Sequence, residues 1–154
     1  MSGTNKVFNI SLGKVKYYAE QVGTGNAALV VVLLKLSGLE ADATLLDHDN
    51  LSVLLASTND EADFTNYARK IVTAATISNP DDESLEIGMA DQVYTDAGGA
   101  TNNTIGKALI CFDADTTTGA DTAIIPLIAH DVDFTTVGDT INLRATSGLV
   151  QITS

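Results

Sequence analysis

The chain is short of most side chains that perform covalent or redox chemistry. It has one cysteine, two histidines, two prolines and no tryptophan in 154 residues. A single thiol excludes an intramolecular disulfide and any site built on paired thiolates. Two histidines exclude a His-rich metal centre. Aromatic residues are only 5%, too few for a platform that stacks successive bases. The strongest apolar run, Ala27–Leu36, is interrupted by Lys35 and is too short to span a bilayer. Met1–Gly3 leads straight into mixed sequence, without the basic, apolar and small-residue succession of a secretory leader. The expectation is a chain made in the cytoplasm, in which the Asn-x-Ser/Thr triplets at Asn9, Asn50 and Asn102 carry no glycan. There is no Gly-x-Ser-x-Gly elbow, no Gly-x-Gly-x-x-Gly and no Gly-Lys-Ser/Thr phosphate loop.

What is present is β-forming sequence. Ala68–Ile77, Ile105–Phe112, Ala123–Ile128, Thr140–Ala145 and Leu149–Thr153 are rich in Ile, Val, Thr and Leu, with Gly, Asn and Asp clusters between them. β-Branched residues fit a pleated, half-buried surface, and turn signals at this spacing point to a sandwich or barrel. Hydrophobic content of 45% over 154 residues suits one domain with its own core. The reading is a mainly β protein, an antiparallel sandwich of jelly-roll type, in a single domain over residues 1–154. Residues 1–25 form an N-terminal strand and extended arm, 26–66 an apolar run plus helix, and 67–154 the sandwich.

Within that frame, Val7–Val22 alternates like one or two strands broken at Gly13, and the Val30-Val31-Val32 centre of Ala27–Leu36 favours a buried strand over a helix. Leu51, Leu54 and Leu55 make an i, i+3, i+4 stripe in a helix over Ala43–Ala56, with Asp47 or Asp49 as its cap. Thr58-x-x-Glu61 has capping-box spacing, and a strand begins near Tyr67. Asn79-Pro80-Asp81-Asp82 marks a turn, and Leu85–Tyr94 is a strand broken at Gly88. Ala97–Asn103 is a loop, Asp113–Asp121 a polar hairpin connection, and Gly138-Asp139 and Ser147-Gly148 are turns. Pro126, inside an apolar run, belongs at a sheet edge or a bulge.

The net charge of −12 is unevenly distributed. Residues 1–38 carry Lys6, Lys14, Lys16 and Lys35 against Glu20, while the rest sets four basic residues against nineteen acids. An acidic body repels nucleic-acid phosphates and anionic membranes, so neither is an expected partner. The basic leading segment instead suits an acidic partner surface. Its candidate contact residues are Lys6, Lys14, Lys16, Tyr17 and Tyr18, the last two being the one aromatic pair.

Groups that could carry chemistry are sparse. Asp113, Asp115 and Asp121 are a weak calcium candidate, since hard cations need several oxygen ligands. The loop is not an EF-hand: counted from Asp113, the turn glycine at position 6 and the glutamate at position 12 are missing. An acidic turn in solvent is the competing reading. His48-Asp49 and His130-Asp131 would need to meet in space with further ligands to form a site. Cys111 lies in an apolar run and reads as a small buried hydrophobe. No cofactor and no catalytic residue is expected.

Several stretches resemble small virion structural proteins of tailed bacteriophages. They are Asn26–Leu29 through Leu33-Leu34-Lys35, Gly38–Leu45, Asp47–Leu51 and Leu54–Ala56; then Phe64–Lys70 with its Tyr67-Ala68-Arg69 step. Thr104–Asp113, Ile124–Leu127, Val137–Leu143 and Gly148–Ile152 complete the set, which covers most of the chain. The pattern is structural, so no functional residue carries over. The resemblance implies a non-enzymatic virion protein. Its first form is a decoration or cement protein on the outer surface of the head, binding the major capsid protein and sister subunits as a homotrimer. The runner-up is a tail or receptor-binding module that recognises a host glycan, and a distant third is a metal-dependent enzyme on the Asp113–Asp121 loop.

Overall fold

A computed structural model describes residues 5–81, 84–145 and 150–153. The elements in chain order are β1 (Asn5–Val7), a 3₁₀ turn (Asn9–Ser11), α1 (Val15–Gln21), β2 (Ala28–Lys35), α2 (Asp42–Leu45) and α3 (Leu51–Leu55). Then come β3 (Lys70–Val72), β4 (Thr76–Asp81), β5 (Ser84–Gly88), β6 (Gln92–Ala97), β7 (Thr104–Asp113), β8 (Ile125–Thr135), β9 (Asp139–Leu143) and β10 (Val150–Thr153). The protein is mainly β, with few and short helices, as expected.

The organising element is β2. All its residues except Lys35 are buried. The side-chain period of two explains how a strand can be apolar throughout. Leu29, Val31 and Leu33 enter one core, and Val30, Val32 and Leu34 enter a second core on the opposite face. Each such side chain contributes about 1.5–3 kcal/mol on full burial. β2 lies inside an antiparallel five-stranded sheet of order β1-β8-β7-β2-β3. One face packs against α1 and two smaller antiparallel sheets, β10-β5-β4 and β6-β9, which gives the sandwich-like layering. The other face is covered by Phe8, α2 and α3 through Leu45, Leu51 and Leu54.

Pro126 fulfils the bulge reading. It lies inside the sheet on β8, opposite Cys111 and beside a register shift in β7. A residue without an N–H fits where the ladder is already interrupted. Gly106 marks a second shift on β7. A Cβ there would come within 2.9 Å of the Leu36 and Leu39 side chains, so only glycine lets the loop after β2 close over this strand.

Four local expectations are corrected. Val7–Val22 is not strand throughout. Val15, Tyr18, Ala19 and Val22 recur at i, i+3, i+4, i+7, and α1 buries Val15 and Ala19 from that stripe; the alternating reading of so short a window masked it. From Asn5 the leading segment is not an extended arm either: β1 pairs with β8 in the chain's own sheet, and Phe8 is fully buried. The Ala43–Ala56 helix is two short helices, and Asn50 caps the second by accepting from the Val53 N–H at 3.0 Å, in place of Asp47 or Asp49. Thr58-x-x-Glu61 caps no helix. Glu61 forms an isolated bridge to Leu34, and the strand expected at Tyr67 starts at Lys70 and lasts three residues.

The break near Gly88 separates β5 from β6 as expected, and residues 98–103 form a loop. β4 runs through Asn79-Pro80 to Asp81, so these residues do not form the expected turn; residues 82–83 and the Ser147-Gly148 turn lie outside the described residues.

Candidate functional site

The largest polar assembly joins four charges from four elements. Lys107 and Asp131 are partners in the β7–β8 register, and Lys6 of β1 pairs with Ala129, two residues before Asp131. The pleat therefore turns Lys6, Lys107 and Asp131 to one face, where Asp42 in the first turn of α2 docks. Lys107 Nζ donates to Asp42 Oδ1 at 2.7 Å and also to Asp131; Lys6 Nζ donates to Asp42 and, at 3.1 Å, to Asp131. The Lys107 and then the Lys6 ammonium hold both carboxyls below the usual range, and Lys6 is raised in return. Within this cluster two cations meet two anions, so its charges balance. Lys6, read from sequence as a partner-binding residue, is consumed inside the fold.

A second assembly ties the segment before β3 to the β7–β8 connection. Arg69 donates to both carboxylate oxygens of Glu61, at 2.8 and 2.7 Å, and to both of Asp121, at 2.5 and 3.0 Å. The Tyr67 hydroxyl donates to Glu61 at 2.8 Å and accepts from the Leu33 N–H at 3.2 Å. Lys70 Nζ lies 4.7 Å from the centre of the Tyr94 ring.

The structure does not bring the three carboxylates of the calcium grouping together. Asp121 is held by Arg69, Asp115 accepts from the Thr117 hydroxyl and N–H, and Asp113 is buried and accepts from the Asp115 N–H. The three carboxylates answer to separate local partners. Among the described residues, no three His, Cys, Asp or Glu side chains gather to hold a metal ion.

The His-Asp pairs do not meet either. His48 Nε2 is 2.7 Å from Glu40 beside the short helices. His130 lies in β8 opposite Ala108, on the face away from Lys107 and Asp131. It is 2% exposed, and both its ring nitrogens are buried without a hydrogen-bond partner. Burial pushes its pKa down to about 4, so the ring is neutral at pH 7. Cys111 is fully buried, as read from sequence, and burial pushes its thiol far up. Neither group is presented to a substrate.

What remains exposed of the predicted contact set, Lys14, Lys16 and Tyr17, lies at the start of α1. Leu12 and Tyr17 are each 60% exposed, with Lys14 exposed between them. Lys14 caps α1, so Tyr17 at i+3 is its neighbour on the helix surface. Lys16 is tied to Glu20 one turn on. Tyr18 turns inward against Phe112, ring centres 5.0 Å apart. The structure thus keeps Lys14 and Tyr17 together and outward, leaves Lys16 exposed beside Glu20, and draws Lys6 and Tyr18 into contacts within the fold.

The four-charge assembly was not visible in sequence, because its members come from distant positions and meet only through strand register. The Arg69 assembly had one signal, Thr58-x-x-Glu61, which was read as a cap. Compared with known proteins, the chain matches no family model, no curated protein and no solved structure. No helix among the described residues is long and apolar enough to cross a membrane.

Proposed function

We propose that this chain is a non-enzymatic virion structural protein of a tailed bacteriophage, a decoration or cement protein that adheres to the outer surface of the head. The observation that supports it is how the described side chains are deployed. The groups best suited to chemistry are buried, as Cys111 and His130 are, or locked in ion pairs, as Lys107 and Arg69 are. Large apolar side chains such as Leu12, Tyr17, Ile71 and Val137 stand half or more exposed. Scattered apolar exposure is ordinary, but here it flanks Lys14, which has no side-chain partner among the described residues, and an edge strand, β3. Such a surface works by binding energy rather than by rate.

The test is addition of the purified chain to heads that lack it. Co-sedimentation with the heads and a raised temperature of head disruption support the reading. Location on tails of labelled particles, or binding of the isolated chain to host cells, replaces it with the receptor-module reading. Truncation of residues 1–14 is an unsuitable probe, because it removes β1 and the buried Phe8 together with any contact surface.

A further inference from the structure

The exposed patch on α1 is chemically unusual for this molecule. Of the six lysines, five are engaged: Lys6 and Lys107 with Asp42 and Asp131, Lys16 with Glu20, Lys35 with Asp63, and Lys70 over the Tyr94 ring. Lys14 alone has no side-chain partner among the described residues, on a chain of net charge −12 with acids in excess. It stands between Leu12 and Tyr17, two of the most exposed large apolar side chains. Tyrosine is enriched at binding centres, and a lysine with no partner on its own chain can answer an anionic group on a second surface.

The opposite composition occurs elsewhere on the same chain. The turn before β9 carries Val137, 62% exposed, next to Gly138 and the exposed Asp139. The Gly138 N–H donates to the Ala97 carbonyl at 2.8 Å, and Asp139 pairs with Ala97 in register, which brings the turn beside Asp96. Asp96 and Asp139 have no side-chain partner among the described residues. Asp96 has a positive φ of 48°. Its backbone is held there by the Asn66 amide, which donates to the Asp96 carbonyl at 2.9 Å. This second patch is apolar and anionic where the first is apolar and cationic.

We infer that the two patches are the two halves of one contact between copies of this chain: Leu12, Lys14 and Tyr17 of one copy dock on Asp96, Val137 and Asp139 of the next. The occupant is argued from complementarity. Each patch has an exposed apolar anchor and unpaired charge of the sign the other lacks, and a second copy supplies both in equal number. Because the two surfaces differ, the contact is head-to-tail, and it closes into a ring or runs on as a chain according to the rotation between copies. This deepens the adhesive reading proposed above, but it concerns the isolated chain. It is therefore tested without particles and can fail while head binding stands, or stand while head binding fails.

The experiment is sedimentation of the purified full chain over a concentration series, at low and at raised salt. The expected result is concentration-dependent association that weakens with salt. Tyr17→Ala, which removes the apolar anchor, raises the association midpoint about tenfold or more. Lys14→Glu and Asp139→Lys each weaken association, and the double variant Lys14→Glu/Asp139→Lys recovers it, because the two reversed charges attract again. Asp96→Asn, which keeps a residue tolerant of positive φ, gives a smaller loss. All four positions are exposed, and circular dichroism of each variant confirms that the fold is kept. A wild-type chain that stays monomeric up to about 1 mM overturns the inference, since contacts weaker than that do not hold copies together. So does a double variant no better than its parents, which would mean that Lys14 and Asp139 do not face one another.

Discussion

Lys6 and Lys14 stand eight residues apart in the same basic leading segment, and the fold uses them in opposite ways. Lys6 is drawn into a compensated cluster with Lys107, Asp42 and Asp131, where it fastens β1 to α2 and β8. Lys14 is left in solvent between two apolar side chains. The difference comes from register. Lys6 occupies a strand position whose side chain meets the face covered by α2, whereas Lys14 precedes a helix whose buried stripe is Val15 and Ala19. Charge counted along a sequence therefore says little about which charges a partner would encounter.

The largest effect that tests this contrast is at Lys107. Lys107→Ala leaves Asp42 and Asp131 with only Lys6 between them. Removing one member of a buried ion pair costs about 3–5 kcal/mol; the half-exposed partners bring the expected loss nearer 2–3 kcal/mol. Urea unfolding reads it. A loss under about 0.5 kcal/mol would put the cluster in the class of ordinary surface pairs.

Of similar size is the acid response, which sets His130 against its neighbour Asp131 on opposite faces of β8. The folded-state pKa of His130 is depressed to about 4 from 6.5. Between those values the unfolded chain binds the proton and the folded chain does not. Stability is therefore full above pH 6.5 and falls as pH drops towards 4, by on the order of 3 kcal/mol. Asp42 and Asp131 are also depressed, so their contribution is present above the unfolded carboxylate pKa and is lost at still lower pH, through their folded values. The loss thus comes in two stages. His130→Leu should flatten the first and leave the second. Equal slopes for variant and wild type between pH 6.5 and 4 would show that the ring is not buried as a neutral group.

Smaller effects separate the two lysines directly. Lys6→Ala costs clearly less than Lys107→Ala, because its side chain is a quarter exposed and Lys107 remains to hold the carboxylates. Lys14→Ala changes stability by less than about 0.5 kcal/mol, as expected for an exposed residue without a partner. Comparable losses at Lys6 and Lys14 would erase the comparison.

The sequence carried the β class, the burial of β2, the identity of β7 and the bulge at Pro126, because each rests on a local preference or a period. It misread the stretch from Val15 to Gln21, where a seven-residue helix offers too few repeats to separate period 2 from period 3.6. It also misread the role of Glu61, which has the spacing of a cap but is held by Arg69 and Tyr67. Of the residues read from sequence as contacts, Lys14, Lys16 and Tyr17 stand exposed. That Lys6 and Tyr18 are engaged within the fold was not legible, since engagement depends on which face a residue occupies.

By itself the amino-acid order determined the β class and most of its longer strands, and that the chain has few cysteine, histidine and aromatic side chains. Only the tertiary structure decided that one sheet is buried on both sides, by strands on one face and short helices on the other. It also decided which charges cancel and which remain. The physical reason is that periodicity and composition are properties of neighbours along the chain, whereas ion pairing and exposure follow from register between strands that lie a hundred residues apart in sequence.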